Sequence, residues 1–343
     1  MRGVRIHSAR DLRVETVEVT PPGPGEVRIR IAAGGICGSD LHYYQDGGFG
    51  VVRVKEPMVL GHEIAGSIAE LGEGVSGLAI GQRVAVNPSR PCERCSYCRE
   101  GLHQHCTDMR FMGSAMRTPH VQGGFRQELT ASALQAIPVS DGVSMAEAAM
   151  AEPLAVCLHA ARIAGPLLGK RVLVTGCGPI GALSILCARL AGAAEIVATD
   201  VADAPLATAA RMGAAHTINV AKSPESLAPY AVNKGVFDVL FEASGNQAAL
   251  RGAFDVLRPG AVIVQVGLGG DATLPLNTLV AKELQLRGTF RFDAEFQLAV
   301  ELMNKGLVDV KPLLTASLPF ENAIEAFELA GDRSRAMKVQ LTF

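Results

Sequence analysis

The chain of 343 residues has no tryptophan, and aromatic residues make up only 5% of it. Proteins that bind bases by stacking need aromatic faces, so a stacking platform is disfavoured. Lys and Arg number 32 against 34 Asp and Glu, for a net charge of −2. Such a balance offers no field for nucleic acid or an anionic membrane surface. Long apolar runs are scarce too. Val172–Ala188, VLVTGCGPIGALSILCA, carries no charge, but at 17 residues it is short for a membrane span. Its β-branched start and Gly-Pro-Gly middle read as a buried strand, a turn and a buried helix. The first residues, MRGVRIHSARDL, lack the apolar segment of a signal peptide, so a cytoplasmic location is expected.

What is present points to two domains. The chain is 48% hydrophobic and holds 37 glycines; at ~150 residues per domain, its length suits a pair. Up to about residue 150, short strands alternate with turns. Val27–Ile31 has period two, as a half-buried strand does, after the turn PPGPGE. From about Ala151 the texture changes. The strands KRVLVTG, EIVATD, FDVLFEASG and AVIVQVG alternate with Ala-rich helical segments, which implies parallel βαβ units. Two helical patterns follow near 293–305 and 321–331, and AMKVQLTF reads as a last strand. Internal repeats and low-complexity tracts are missing.

Eight cysteines are present, and four are packed as Cys92, Cys95, Cys98 and Cys106, spaced C-x2-C-x2-C-x7-C. In a reducing compartment this clustering reads as one tetrahedral structural zinc rather than disulfides. His103 and His105 lie in the same lobe as alternative ligands. Cys157, Cys177 and Cys187 read as small buried hydrophobes, and His7, His159 and His216 as structural.

A second motif is GCGPIG, comprising Gly176, Gly178, Pro179, Ile180 and Gly181 around Cys177. It follows a strand and opens a helical pattern, and Asp200 ends the next strand 19 residues past Gly181. This is the context of a dinucleotide fingerprint, in which backbone N–H groups meet the pyrophosphate and the acid takes the ribose hydroxyls. No Lys or Arg occurs from Val201 to Thr208, which favours NAD over NADP, with Arg211 as the one residue that offers NADP a cation.

Two further stretches carry metal-ligand types. GGICGSDLHYYQDGG, which reads as a loop, holds Cys37, Ser39 and His42. GHEIAG holds His62 and Glu63 beside a turn.

In this order, the C-G-S-D-x-H stretch, G-H-E, the four-cysteine lobe and the late G-x-G-x-x-G resemble the zinc-dependent medium-chain alcohol/polyol dehydrogenases. The resemblance covers essentially the whole chain. It implies an α/β plus β-rich fold: a GroES-like catalytic domain over 1–151 and 288–343, with an inserted Rossmann domain, a doubly wound parallel sheet, over 152–287. AEPLAV places Glu152 where the alcohol-dehydrogenase branch has a cysteine, which resembles the polyol branch. The implied catalytic zinc ligands are Cys37 and His62, with Glu63 and Glu152 as carboxylate candidates. One thiolate and one carboxylate neutralise Zn²⁺, so one bound carboxylate at a time is expected. Ser39 is implied as first acceptor of the substrate's hydroxyl proton and His42 as the next. Val266 and Gly267 are implied cofactor contacts. Two zinc ions per chain, NAD or NADP, and a homodimer or homotetramer paired near LQLRGTF are expected, with no nucleic-acid or membrane partner.

The segment Cys106–Phe125 departs from the polyol branch and resembles family members that oxidise an aldonate at its 5-hydroxyl. Arg110, Arg117, His120 and Arg291 are candidate partners for the aldonate carboxylate. Tyr43 and Phe111 are candidate substrate contacts, and Tyr44 reads as a packing residue. Phe292 stands where the polyol branch often has Tyr. Rival readings are a sorbitol, xylitol or threonine dehydrogenase, or a nucleotide-binding protein without activity.

Overall fold

Val27, Ile29 and Ile31 alternate with Arg28 and Arg30, and the pattern becomes the strand Glu26–Gly35 with its apolar side chains buried. This strand is central to a seven-stranded sheet. It pairs antiparallel with Glu63–Leu71, with Glu128–Ser132 and with Lys338–Thr342. The register sets Gly35 opposite both Glu63 and Gln340. Three segments far apart in sequence therefore meet just before Cys37. A smaller antiparallel sheet joins Arg2–Ser8 to Asp11–Thr16 and to Met58–Val59.

The computed structural model describes residues 1–343. Two compact units are resolved: Met1–Glu152 with Asp293–Asp332 and Lys338–Phe343, and Pro153–Phe292 with Arg333–Met337. The first is β-rich, as its short alternating segments imply.

One expectation fails in this unit. The stretch around Ser39, read as a loop because glycines flank it, forms the helix Gly38–Asp46. Asp40 in its first turn accepts from the Cys37 N–H at 3.0 Å. Gly47 closes the helix at φ 69°, donating to the carbonyls of His42 and Tyr43. The glycines are its boundaries rather than its interior.

The second unit holds a six-stranded parallel sheet: Arg171–Thr175, Glu195–Asp200, His216–Asn219, Phe237–Glu242, Leu257–Gln265 and Gln285–Gly288. Numbered in chain order, the strands lie third, second, first, fourth, fifth, sixth. That order reverses beside the first strand, where doubly wound sheets bind ligands. Leu173, Val197, Leu240 and Ile263 from four adjacent strands form its core with Phe237 and Phe254. The uncharged run Val172–Ala188 is the strand, the turn and the buried helix Pro179–Leu190. No helix of the chain is long and apolar enough to cross a membrane.

A candidate catalytic metal centre and a nucleotide cradle

Ligand atoms of Cys37, His62 and Glu63 all lie within 4.8 Å of one another. Cys37 caps the helix Gly38–Asp46, and Glu63 begins the strand that pairs with Glu26–Gly35. Asp40 locks the two ligand-bearing segments together. It is fully buried and accepts from the N–H groups of Cys37 at 3.0 Å and Gly61 at 3.3 Å. His62 Nδ1 is buried without a hydrogen-bond partner, and Asp40 Oδ1 lies 3.8 Å from it. With Nδ1 turned to this carboxylate, Nε2 is the ring atom left to ligate.

The electrostatics fit a cation among these groups. Burial pushes the Cys37 thiol up to about 11, Glu63 pushes the same way, and Lys338 opposes them. A thiolate at this position therefore needs a positive charge beside it. Glu152, near the start of the helix Ala151–Ala164, is also buried. Burial pushes its carboxyl up to about 8, with His62 and Lys338 acting against the rise and Glu63 and Cys37 adding to it. It stands outside the tight three-residue group but within its field.

Sequence reasoning missed Lys338. Its Nζ donates to both oxygens of Glu63 at 2.8 Å. This changes the charge argument: the lysine returns one positive charge, so a dication, one thiolate and two carboxylates also come to neutrality. A lysine opening the apolar alternation of KVQLT was the available signal. Asp40 was missed too, although an acid three residues past a capping position is a known helix-start pattern.

Ser39 and His42 stand in the first and second turns of the helix, on one face by their spacing. His42 is half exposed, and its Nδ1 lies 3.4 Å from Asp46 Oδ2. Phe111 is buried with its ring centroid 5.5 Å from that of His62. Tyr43 is buried and its hydroxyl accepts from the Ala115 N–H at 3.1 Å, tying the helix to the segment 106–125. Tyr44 packs edge-on to Phe327 and donates to Glu328 at 2.7 Å, as a packing residue should.

Of the candidate carboxylate partners, Arg110, Arg117 and His120 belong to the first unit and have different surroundings. Arg110 is exposed and lines an outer cleft of the cysteine lobe with Arg90 and Arg94, whereas its strand neighbour Phe111 turns inward. Arg117 is paired with Asp108. His120 is buried and both ring nitrogens are engaged, Nε2 by the Lys55 N–H at 2.9 Å and Nδ1 by the Arg117 carbonyl. Arg291 belongs to the second unit, at φ 53°, with its guanidinium 4.9 Å from the Phe290 ring centroid. Phe292 is buried.

The sulfurs of Cys92, Cys95, Cys98 and Cys106 also lie within 4.8 Å of one another, and none of the eight cysteines is in a disulfide. Backbone N–H groups of Cys92 and Asp108 point at Cys106 Sγ, at 3.1 and 3.3 Å. Backbone donors hold the Cys95 thiol down at about 6, while burial pushes Cys98 up to about 12 and raises Cys106, so a shared cation is needed to hold all four as thiolates. Amides aimed at sulfur make a cage for thiolates, and four of them suit a closed tetrahedral zinc. His103 is occupied elsewhere, 3.0 Å from Asp293 and 3.4 Å from Glu93. The thiols Cys157, Cys177 and Cys187 are buried, as expected of small hydrophobes.

In the second unit the glycine loop has the shape of a phosphate cradle. Gly176 has φ 82°, and a Cβ there would stand 2.7 Å from the Ser244 backbone. A Cβ on Gly181 would meet the Gly176 carbonyl at 1.8 Å, so the helix Pro179–Leu190 packs tightly on the loop. A Cβ on Gly178 would meet nothing within 4 Å. That open side lies at a helix N-terminus with no side-chain cap, a setting whose free N–H groups suit an anion. Asp200 accepts from the N–H groups of Cys177 at 2.7 Å and Ala202 at 3.0 Å, holding the loop against the second strand. Val266 and Gly267 follow the fifth strand, and both donate to the Glu242 carbonyl.

Residues 23–141 match the alcohol dehydrogenase GroES-like domain, and residues 179–305 match the zinc-binding dehydrogenase domain. The chain is 46% identical to L-idonate 5-dehydrogenase (NAD(P)(+)) of Escherichia coli K12 over 92% of its length and 91% of the relative's. It is 37% identical to sorbitol dehydrogenase of Gallus gallus over 98% of its length and 95% of that enzyme. A crystal structure of L-idonate 5-dehydrogenase from Escherichia coli superposes with a TM-score of 0.94 at 43% identity, covering 100% of this chain and 98% of that one. The β-rich unit is thus a GroES-like domain and the parallel-sheet unit a Rossmann domain, and the chain belongs to the zinc-dependent medium-chain alcohol/polyol dehydrogenase family.

Proposed function

We propose that this enzyme oxidises the 5-hydroxyl of L-idonate to give 5-dehydro-D-gluconate, reversibly, with NAD(P)⁺ as acceptor. The observation that carries the reading is the Cys37–His62–Glu63 cluster, set in a chain whose likeness to L-idonate 5-dehydrogenase runs its whole length. When bound, zinc polarises the substrate hydroxyl as a Lewis acid and the nicotinamide accepts the hydride.

The chain supplies the rest. Cys37, His62 and a carboxylate from Glu63 or Glu152 hold the metal, and Asp40 fixes their relative placement. Ser39 receives the hydroxyl proton, and His42, half exposed one turn on, delivers it to water. Gly176, Gly178, Pro179, Ile180 and Gly181 receive the pyrophosphate, Asp200 the ribose hydroxyls, and Val266 and Gly267 the cofactor's nicotinamide end. Phe111 and Tyr43 shape the substrate side, and Arg291 is the basic group proposed for the aldonate carboxylate. Arg110 is the weaker candidate because it is on the outer cleft. In this reading the catalytic domain is 1–151 and 288–343 and the cofactor domain 152–287, whereas the compact units place Glu152 with the first and 288–292 and Arg333–Met337 with the second.

The strand Gln285–Gly288 is an edge of the parallel sheet, with Leu286 exposed on it, and Leu276 and Val280 of the preceding helix Leu276–Ala281 are exposed too. An open apolar edge supports a homodimer or homotetramer. Eight cysteines outside any disulfide support a reducing, cytoplasmic location.

The test is reduced-cofactor formation with L-idonate, sorbitol, xylitol, D-gluconate and L-threonine, each with NAD and NADP. Preference for L-idonate supports the proposal, and preference for an uncharged polyol replaces it with the sorbitol-type reading that the likeness to sorbitol dehydrogenase favours. Metal analysis accompanies it: two zinc per chain are expected, falling to one in Cys37→Ser. One zinc in the unaltered protein, with no turnover, would leave only a nucleotide-binding protein.

A further inference from the structure

A cavity of about 490 Å³ lies on the small sheet Arg2–Ser8, Asp11–Thr16, Met58–Val59, and none of the residues of the metal cluster or the nucleotide cradle lines it. Its volume falls in the range of small-molecule sites, ~300–1,000 Å³. Arg5, Thr16, Gln122 and Arg126 line it, with Glu18 exposed at its rim.

Arg126 is out of place by ordinary rules. Its backbone is fixed by a bridge to Gly3 and by a hydrogen bond from its N–H to the Gly124 carbonyl at 2.8 Å. Its Nε is buried with no hydrogen-bond partner, and no carboxylate lies within 4.0 Å of its guanidinium. Burial lowers its pKa to about 10, and the charge of Arg5 pushes the same way. Arg5 donates to Glu15 through Nη1 at 2.8 Å, while its Nε is also buried and unpartnered. Gln122 accepts from the Val59 N–H through Oε1 at 2.9 Å, which leaves its NH₂ as a further donor at the cavity.

Arg126 is half-buried, and leaving its Nε desolvated without an acceptor is costly; an oxyanion in the cavity would supply that acceptor. Two planar forks with unused donors, one carboxamide and one threonine hydroxyl line the cavity, against a single carboxylate in its lining, that of Glu18. Planar guanidinium matches the two-oxygen geometry of carboxylate and phosphate. We propose that this cavity is a second ligand site, for a sugar-sized metabolite bearing an oxyanion, either a carboxylate or a phosphate, gripped by Arg126 and Arg5. Glu18 at the rim opposes the ligand's charge and limits its affinity. The site stands apart from the oxidation chemistry and survives its failure.

The experiment is calorimetric titration of the full-length zinc-loaded protein with inorganic phosphate and, separately, with D-gluconate, in the unaltered chain, Arg126→Gln, Arg126→Lys and Glu18→Gln. The expected result is saturable binding of at least one probe in the unaltered chain. Its affinity falls about tenfold or more in Arg126→Gln, falls less in Arg126→Lys, and rises in Glu18→Gln, as for a charge-assisted fork. Phosphate binding alone names a phosphate site; D-gluconate heat that Arg126→Gln abolishes names a carboxylate site. Turnover number is unchanged in Arg126→Gln. Equal titrations in the unaltered chain and Arg126→Gln overturn the proposal. So does an altered sedimentation state in Arg126→Gln with no change in anion binding, which would assign the counter-charge to another copy of the chain.

Discussion

Lys338 Nζ donates to both carboxylate oxygens of Glu63 at 2.8 Å and to the Ile36 carbonyl at 3.2 Å, with both side chains buried. The antiparallel register that sets Gly35 opposite Glu63 and Gln340 creates this pair from opposite ends of the chain. Replacing Lys338 by Met leaves an uncompensated buried carboxylate, and breaking such a pair costs about 3–5 kcal/mol. Calorimetry of the zinc-free protein should show a lowered unfolding midpoint for Lys338→Met and near-recovery in Lys338→Met/Glu63→Gln. Zinc should stabilise the single variant more than the unaltered chain, because the dication replaces the lost ammonium. A single variant as stable as the unaltered chain without zinc would remove the pair from the account.

Much of this was legible in the sequence because it rests on local pattern. The four-cysteine spacing, the glycine fingerprint after a strand, and the switch from alternating to βαβ texture each depend on neighbours within about one turn or strand. The helix Gly38–Asp46 was hidden because its flanking glycines look like a loop, whereas one of them is a left-handed cap. Lys338 was hidden for another reason: its partner is 275 residues away, and only the sheet register joins them. Arg110 illustrates the converse. Its neighbour Phe111 faces His62, and strand alternation then sends the arginine outward, a consequence visible only once the two-residue strand Arg110–Phe111 is known.

Asp40 couples the two ligand segments by accepting from Cys37 and Gly61 while facing His62 Nδ1. Asp40→Asn keeps the shape but removes the charge that orients the imidazole. Changes to such supporting partners lower metal affinity by about 10–100-fold. Chelator competition should therefore strip the catalytic zinc from Asp40→Asn at a lower chelator concentration, while the zinc of the cysteine lobe is released as in the unaltered protein. Equal loss from both sites would mean a general loosening instead.

Glu242 is the hub of the nucleotide unit. It is fully buried and accepts from the N–H groups of Ser244 and Gly245 at 3.0 Å, from Gln265 Nε2 at 2.6 Å, and from the hydroxyls of Thr175 and Ser244. These bonds hold the turn after the fourth strand against the glycine loop, where Gly176 meets Ser244. Glu242→Gln converts acceptors into a donor facing donors, a mismatch that costs about 1–3 kcal/mol or more. Cofactor dissociation constants, read by fluorescence of NADH, should rise about tenfold. Zinc content should stay at two per chain.

His103 gives the pH prediction. Asp293, at 3.0 Å from its Nδ1, raises its pKa above the usual 6.5, and Glu93 acts in the same sense. A histidine whose folded pKa is raised contributes stability that is complete below the unfolded value and is lost as pH climbs through the folded one. The contact fastens the cysteine lobe to the segment that opens at Asp293. Raising the pH through this window should leave the ring neutral and loosen the lobe, so that its amides lose protection beyond the intrinsic rise of exchange with pH. Proton NMR of the His103 ring should show a midpoint above 6.5 that falls in Asp293→Asn. Amide protection factors around Leu102–His105, which remove the base-catalysed rise of intrinsic exchange with pH, should no longer change across the same window in that variant. A His103 midpoint indifferent to Asp293→Asn would mean that the pairing does not control the lobe.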